Sequence, residues 1–293
     1  MNTFKTLLLR EWMQHHFGWL LLGCVPLLIM VPLMMFGHIE LGAEVPPPGL
    51  IALGFAAGYS GFLMALAGLV VGFQTPGLAR RDQQDRSIEF WVSLPASHVQ
   101  SVGATVLMNL LLMPLMLLGL AVVGGILAGM LAVLRVHGLG GWGALPWGTL
   151  LTVFLAGVPR LALGLVLGML WLSPLLMLAM AASAWLKRWG VPVVAAVIGL
   201  GGLFLREAYD QPWLLDGVGD LFTHFGWAVV PTGLGTLNFE GSPWPAGNLA
   251  QFGAWIWKDT QLVLGDLASP LFAVALVVAA IGFGLVVLRR MKT

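Results

Sequence analysis

Charge is what this chain has least of. Only 9% of its 293 residues are Asp, Glu, Lys or Arg, where soluble domains carry roughly 25%. With 59% hydrophobic residues, it has too few polar side chains to clothe a water-soluble globule of this size. The net charge is +1, so attraction of the whole chain to nucleic acid is not indicated. A single cysteine, Cys24, excludes an intrachain disulfide. Its setting, "LLGC", has a faint likeness to a lipoprotein cleavage site, but the apolar run continues to Phe36. That length fits a retained transmembrane helix better than a processed signal.

Catalytic and nucleotide-binding signatures are absent too. The four lysines are Lys5, Lys187, Lys258 and Lys292, and none follows a glycine. No G-x-x-x-x-G-K-[ST] phosphate loop can therefore exist in this polypeptide. There is no H-E-x-x-H zinc motif and no G-x-S-x-G elbow; "GYSG" at Gly58 to Gly61 has the wrong spacing. The six histidines, His15, His16, His38, His98, His137 and His224, fall near or outside the ends of the apolar runs. His15 and His16 are adjacent, which puts their side chains about 100° apart on a helix, a poor geometry for one metal.

What is present is Leu, Gly and Trp in long runs. The 39 glycines are about twice the usual share, and the mean hydropathy is +0.92. A bilayer core needs about 20 apolar residues per helix. Six stretches qualify, near 17–37, 50–73, 102–134, 161–186, 191–205 and 268–288. The third is too long for a straight span and is expected to kink at Pro114 or project from the bilayer. The fold class is therefore all-α integral membrane, a single transmembrane domain over 1–293.

Lys and Arg set the orientation. An even number of spans puts both termini on one side, with ten cations there, among them Lys5, Arg10, Lys187 and Arg289. The other side holds Arg135, Arg160, Arg206 and Lys258. The bias places both termini in the cytoplasm. In the first 16 residues Phe4, Leu8 and Trp12 recur every four residues, while Lys5, Arg10 and Gln14 fall elsewhere on the wheel. This reads as an amphipathic helix lying in the cytoplasmic interface, or else as a helical extension of the first span.

The connection 206–267 is the long outer segment before the last span. It carries seven acids, Asp259 among them, and Trp213, Trp227, Trp244, Trp255 and Trp257. Acidic charge with Trp suits an outer face whose rings rest at the headgroups. Arg160, after Pro159, is the one ionisable candidate within an apolar run. It either snorkels at the outer edge or faces a possible substrate path. The acids all fall in loops or terminal segments, which argues against a proton-coupled carrier, since that would need a buried carboxylate. Small-xxx-small pairs recur at Gly54/Gly58, Gly68/Gly72, Gly125/Gly129 and Gly164/Gly168 and would let helices approach closely.

Between the second and third spans, within a cytoplasmic loop at 74–101, lies "ARRDQQDRSIEFWVSLPAS", Ala79 to Ser97. Six of the ten residues Arg80 to Glu89 are charged. Retention by the arginines explains the charges but not the sequel. On a helix Ile88, Trp91 and Val92 share one face, and Phe90 and Leu94 another, closed by Pro95. A large aromatic on a cytoplasmic loop is costly unless it meets a partner or the membrane. A helix that docks in a groove of another protein has this pattern.

"DRSIEFWVSLPAS", Asp85 to Ser97, closely resembles the signature of bacterial ABC-type permeases of the second exporter class, D-R-S-I-L-F-W-K-S-L-P-V-S. Glu89 stands where that pattern has an apolar residue, and Val92 where it has a lysine. "WLSPLLMLAMAASAWLKR", Trp171 to Arg188, is similar to the family's fourth span. The resemblance implies a permease subunit in the bacterial cytoplasmic membrane that binds no cofactor itself. A separate ABC ATPase subunit would carry ATP and Mg, and a second permease subunit, identical or paralogous, would complete the transporter. It also implies that Arg81, Asp85, Arg86, Ser87, Ile88, Phe90, Trp91, Leu94 and Pro95 form the ATPase-coupling element. Three other readings stay open: an ion-gradient-driven carrier, a membrane-embedded enzyme, and a non-transporting sensory or structural subunit.

Overall fold

The computed structural model describes residues 3–37, 45–80, 97–231 and 252–292. Every regular element among them is helical. Helix α1 is Thr3–Phe36 and α2 is Pro48–Leu78. Helix α3, His98–Leu107, runs through a π-helical turn at Met108–Leu112 into α4, Met113–Gly143. Then come α5, Trp147–Leu186, and α6, Gly190–Tyr209. Helices α7, Trp213–Val229, and α8, Phe252–Gly265, lie within the 206–267 connection, and α9, Pro270–Met291, follows it.

Among the described residues, five helical runs are long and apolar enough to cross a bilayer. They are Thr3–Phe36, Pro48–Leu78, His98–Gly143, Trp147–Tyr209 and Pro270–Met291. The fourth, of 63 residues, contains both the 161–186 and the 191–205 stretches. It is not one straight helix. At its interior Lys187 takes φ 55, ψ −125, followed by a 3-10 turn over Lys187–Trp189. Gly190 packs directly on the backbone of Ala182 and Ser183, so α6 starts against the last turn of α5.

Local chemistry sets the helix starts. Pro48 opens α2 at a position where its missing N–H costs nothing. Ser97 caps α3: its Oγ accepts from the Gln100 N–H at 3.1 Å, and Gln100 Oε1 accepts from the Ser97 N–H at 3.3 Å, a reciprocal capping box. Ser269 Oγ accepts from the Phe272 N–H at 3.2 Å, with Pro270 in the first turn of α9. The expected disturbance at Pro114 takes the form of the π turn just before it. Widening that turn accommodates a ring that has no N–H to donate and would otherwise crowd the carbonyl four residues back. A sharper break comes later in α4, where Gly138 takes φ 66, ψ −163.

The N-terminal segment and the first span form one unbroken helix. Its buried face includes Leu7, Arg10, Glu11, Trp19 and Gly23, so Arg10 faces inward rather than to solvent.

Helices touch where side chains are small. Gly125 and Gly129 of α4 lie on the backbone of Ala56 and Ala52 of α2. Gly164 of α5 lies on the Ala228 carbonyl of α7, and Gly168 on Val229 and Phe225. Gly282 of α9 meets Met177 of α5. By contrast, a side chain at Gly54, Gly58, Gly68 or Gly72 would enter open space. Two of the four small-residue pairs are thus packing sites. Trp171, fully buried, anchors the α5–α7–α9 region; it stacks on His224 at 4.3 Å and meets the Phe272 ring edge-on at 4.9 Å.

Gly129→Val should lower the melting temperature in mild detergent, since overpacking costs about 1–3 kcal/mol, whereas Gly58→Ala should leave it unchanged or raise it. Equal effects of the two would contradict this packing. Lys187→Gly should raise the melting temperature, because glycine relieves a backbone conformation that costs other residues about 1–3 kcal/mol.

Candidate functional site

The nine residues of the expected coupling element, Arg81, Asp85, Arg86, Ser87, Ile88, Phe90, Trp91, Leu94 and Pro95, lie outside the described residues. Their flanks are described. The chain leaves α2 through Ala79 and Arg80, whose N–H donates to the Gly77 carbonyl at 3.1 Å. It re-enters at the Ser97 cap. Leu78 and Ala79 belong to the same apolar cluster as Leu8 and Trp12 of α1 and Val102 of α3. The two ends of the 81–96 segment therefore sit beside the N-terminal half of α1.

That end of the bundle holds a buried carboxylate. Glu11 has no exposed surface and forms an ion pair with Arg10. Thr105 Oγ1 donates to its carboxylate at 3.0 Å and Asn109 Nδ2 at 3.4 Å. His15 Nδ1 lies 3.8 Å from the same group. Thr105 and Asn109 are four residues apart, on one face of the helix where α3 passes into its π turn. The second N–H of Asn109 donates to the Thr105 carbonyl at 2.9 Å, and the single Thr105 hydroxyl proton is shared between the carboxylate and the Ser101 carbonyl, 3.2 Å away. Glu11 thus ties α1 to α3 where the third span enters the bundle.

The second buried charge centre is Arg160, only 2% exposed. The sequence places it at the outer edge, snorkelling or facing a path; in the structure it is buried rather than reaching for water. Its Nε donates to Asp259 Oδ2 of α8 at 2.7 Å, and Nη1 donates to the Ala228 carbonyl at 2.7 Å. Nη2 reaches the Trp227 carbonyl at 3.4 Å. Those carbonyls belong to the last turn of α7, the negative end of its dipole. One guanidinium therefore caps α7, pairs with Asp259 and holds both α7 and α8 on α5. Asp259 is 3% exposed. The reason snorkelling fails is that α7 and α8 cover Arg160 and supply its acceptors, so it need not reach for water.

Glu11 falls in the N-terminal segment and Asp259 in the 206–267 connection, as the sequence reading has the acids, but both are buried. Each is already paired with an arginine, Glu11 with Arg10 and Asp259 with Arg160. Both had faint signals. Thr105 and Asn109 are polar residues at helical spacing within an apolar run, a pattern that marks interhelical hydrogen bonds. Asp259 falls between Ile256 and Val263 on the buried face of α8. Among the described residues no group of three or more His, Cys, Asp or Glu side chains comes together to hold a metal ion.

No family model matches this chain, and neither a curated protein nor a solved structure gives a match to it.

Arg160→Ala should lower stability strongly, since removing one partner of a buried pair costs about 3–5 kcal/mol. Arg160→Met combined with Asp259→Leu should recover much of that loss, because no buried charge is then left alone. Thermal unfolding in detergent, with proteolysis of the 213–265 region as a local readout, distinguishes the two. A single variant that melts like the wild type would remove the clasp from the account.

Proposed function

We propose that this chain is the membrane-spanning permease subunit of an ATP-driven exporter, coupled to a separate ATPase subunit through the 79–97 segment. The observation that carries the reading is the sequence Asp85 to Ser97, with its resemblance to the second exporter class of ABC-type permeases. Its apolar helices agree with a membrane subunit. The lack of a phosphate loop agrees with hydrolysis in a partner chain that holds ATP and Mg. On this reading the chain crosses the bacterial cytoplasmic membrane six times, the run from Trp147 to Tyr209 counting as two crossings that reverse at Lys187–Trp189. Both termini are cytoplasmic, and the first turns of α1 lie at the interface. A second permease subunit would cover part of the apolar surface that the single chain leaves exposed on α1 and α6.

The mechanism follows from that assembly. Phe90, Trp91 and Leu94 seat in a cleft of the ATPase, and Arg81, Asp85 and Arg86 fix its orientation. Each seated aromatic contributes about 2 kcal/mol or more, as interface hot spots do. Closure of the ATPase dimer on ATP moves the docked segment. Its two ends are the ends of α2 and α3, and Glu11 links α3 to α1, so α1, α2 and α3 would move together. ATP biases the two states only by its differential affinity for them. Any substrate path past Arg160 would have to open the clasp with Asp259.

The buried carboxylates Glu11 and Asp259 are what a carrier driven by an ion gradient would use, and they keep that reading as the second one. Transport sensitivity to vanadate separates the two.

Trp91→Ala and the reversal Arg86→Glu should leave membrane insertion intact but uncouple ATP hydrolysis from transport. A pull-down of the tagged chain with its neighbouring gene products, followed by an ATPase assay, measures the first half of this. Recovery of a stoichiometric ATPase subunit that is lost on Trp91→Ala supports the proposal. Undiminished ATPase binding and transport in that variant would sink it.

A further inference from the structure

The C-terminal ends of α5 and α9 meet, although they are about a hundred residues apart in the chain. Trp185 Nε1 donates to the Leu285 carbonyl at 3.3 Å, and Arg289 Nε donates to the Ala184 carbonyl at 3.4 Å. The Trp185 ring carries two cations, with Arg289 Cζ 5.4 Å and Lys292 Nζ 5.5 Å from its centre. Immediately after Trp185 the chain makes its strained turn at Lys187, φ 55. The turn leaves Lys187, Arg188 and Trp189 exposed, and Lys292 is exposed beside Trp185. Neither the stretch Ser183–Val191 nor the stretch Leu285–Lys292 contains an acid. The patch is thus built from two helix ends whose own charged residues are all basic.

A second observation says what fits it. Leu186, Val191, Leu288 and Met291 are large apolar side chains, each at least 43% exposed, and they adjoin the cations in sequence on both helix ends. Cations and half-exposed indoles bordering an apolar surface match a molecule with an anionic head and apolar tails. They match a soluble anion poorly, since it would gain nothing from the apolar collar. The cation–π contacts hold Arg289 and Lys292 near the Trp185 ring, which lowers the ordering cost of binding.

We propose that the ends of α5 and α9 form a headgroup site for an anionic phospholipid. Lys187, Arg188 and Lys292 take the phosphate, while Trp185 and Trp189 lie at headgroup level. The inference needs only a membrane-embedded chain and is independent of the exporter reading.

The test uses the full chain in mild detergent, titrated separately with phosphatidylglycerol and phosphatidylcholine and followed by native mass spectrometry. The first phosphatidylglycerol should bind at least about tenfold tighter than phosphatidylcholine at low salt, since each surface cation contributes about fivefold to attraction of an anionic lipid. The variant Lys187→Gln, Arg188→Gln, Lys292→Gln should lose that preference. The charge-conserving variant Lys187→Arg, Arg188→Lys, Lys292→Arg should keep it, which guards against a loss caused by misfolding. Equal affinity for the two lipids in the wild type, or an unchanged preference in the neutralised variant, would overturn the proposal. Equal displacement of phosphatidylglycerol by inorganic phosphate at matched ionic strength would overturn it in favour of a soluble anion. Loss of a partner protein in the neutralised variant, with its lipid preference intact, would overturn it in favour of a protein interface.

Discussion

Inside a bilayer, burying a leucine against another helix gains little, because lipid tails are as apolar as leucine. The architecture of this chain depends on that constraint. Its helices must be held by something other than the hydrophobic effect, and two devices recur. One is close approach at residues without side chains, where Gly125 and Gly129 admit the α2 backbone and Gly164 admits the end of α7. The other is polar bonding between helices, including Ser60 Oγ donating to the Ala121 carbonyl at 3.0 Å and the Tyr59 hydroxyl to the Gly23 carbonyl at 3.3 Å. Dispersion and hydrogen bonds then do what water exclusion does in a soluble core.

The few charges in the chain fit the same logic. Glu11 and Arg160 are buried where leaving either alone would be expensive, and each is met by an opposite charge and by further hydrogen-bonding groups. Their positions differ in consequence. Glu11 joins α1 to α3 beside the ends of the 81–96 segment, whereas Arg160 fastens α7 and α8 onto α5. One centre ties α1 to α3, one of the two helices that frame that segment; the other holds the long connection between α6 and α9. Buried pairs of this kind contribute less to stability than they demand in geometry, which suits them to fixing one arrangement of helices among several of similar packing energy.

Much of this was legible from residue order. The apolar runs coincide with helices, and the composition alone requires a membrane setting. Other features were only half legible. Four glycine pairs have the same spacing, yet only Gly125/Gly129 and Gly164/Gly168 meet another helix, because spacing places two glycines on one face without saying what that face touches. Pro114 signals a disturbance in the third span, but its form, a π turn at Met108–Leu112, depends on where the carbonyl crowding can be relieved. The break at Lys187 was less visible still, since no glycine or proline marks the residue that takes the positive φ. The residues of the candidate coupling element, Arg81 to Pro95, stand on their sequence alone.

By itself the sequence determined that this is an all-helical chain with too little charge for water and apolar runs long enough to cross a bilayer. Those properties are local: they follow from composition, from helical period and from caps such as Ser97, none of which requires a distant residue. Only the tertiary structure decided the fate of the charges. Arg160 looked like a residue reaching for the interface until Asp259, ninety-nine positions away, and the Ala228 carbonyl supplied it with partners. Glu11 is enclosed by Thr105 and Asn109, ninety-four and ninety-eight positions away. A charge is tolerated or costly according to what surrounds it, and those surroundings are assembled from helices whose order in space the order of residues does not state.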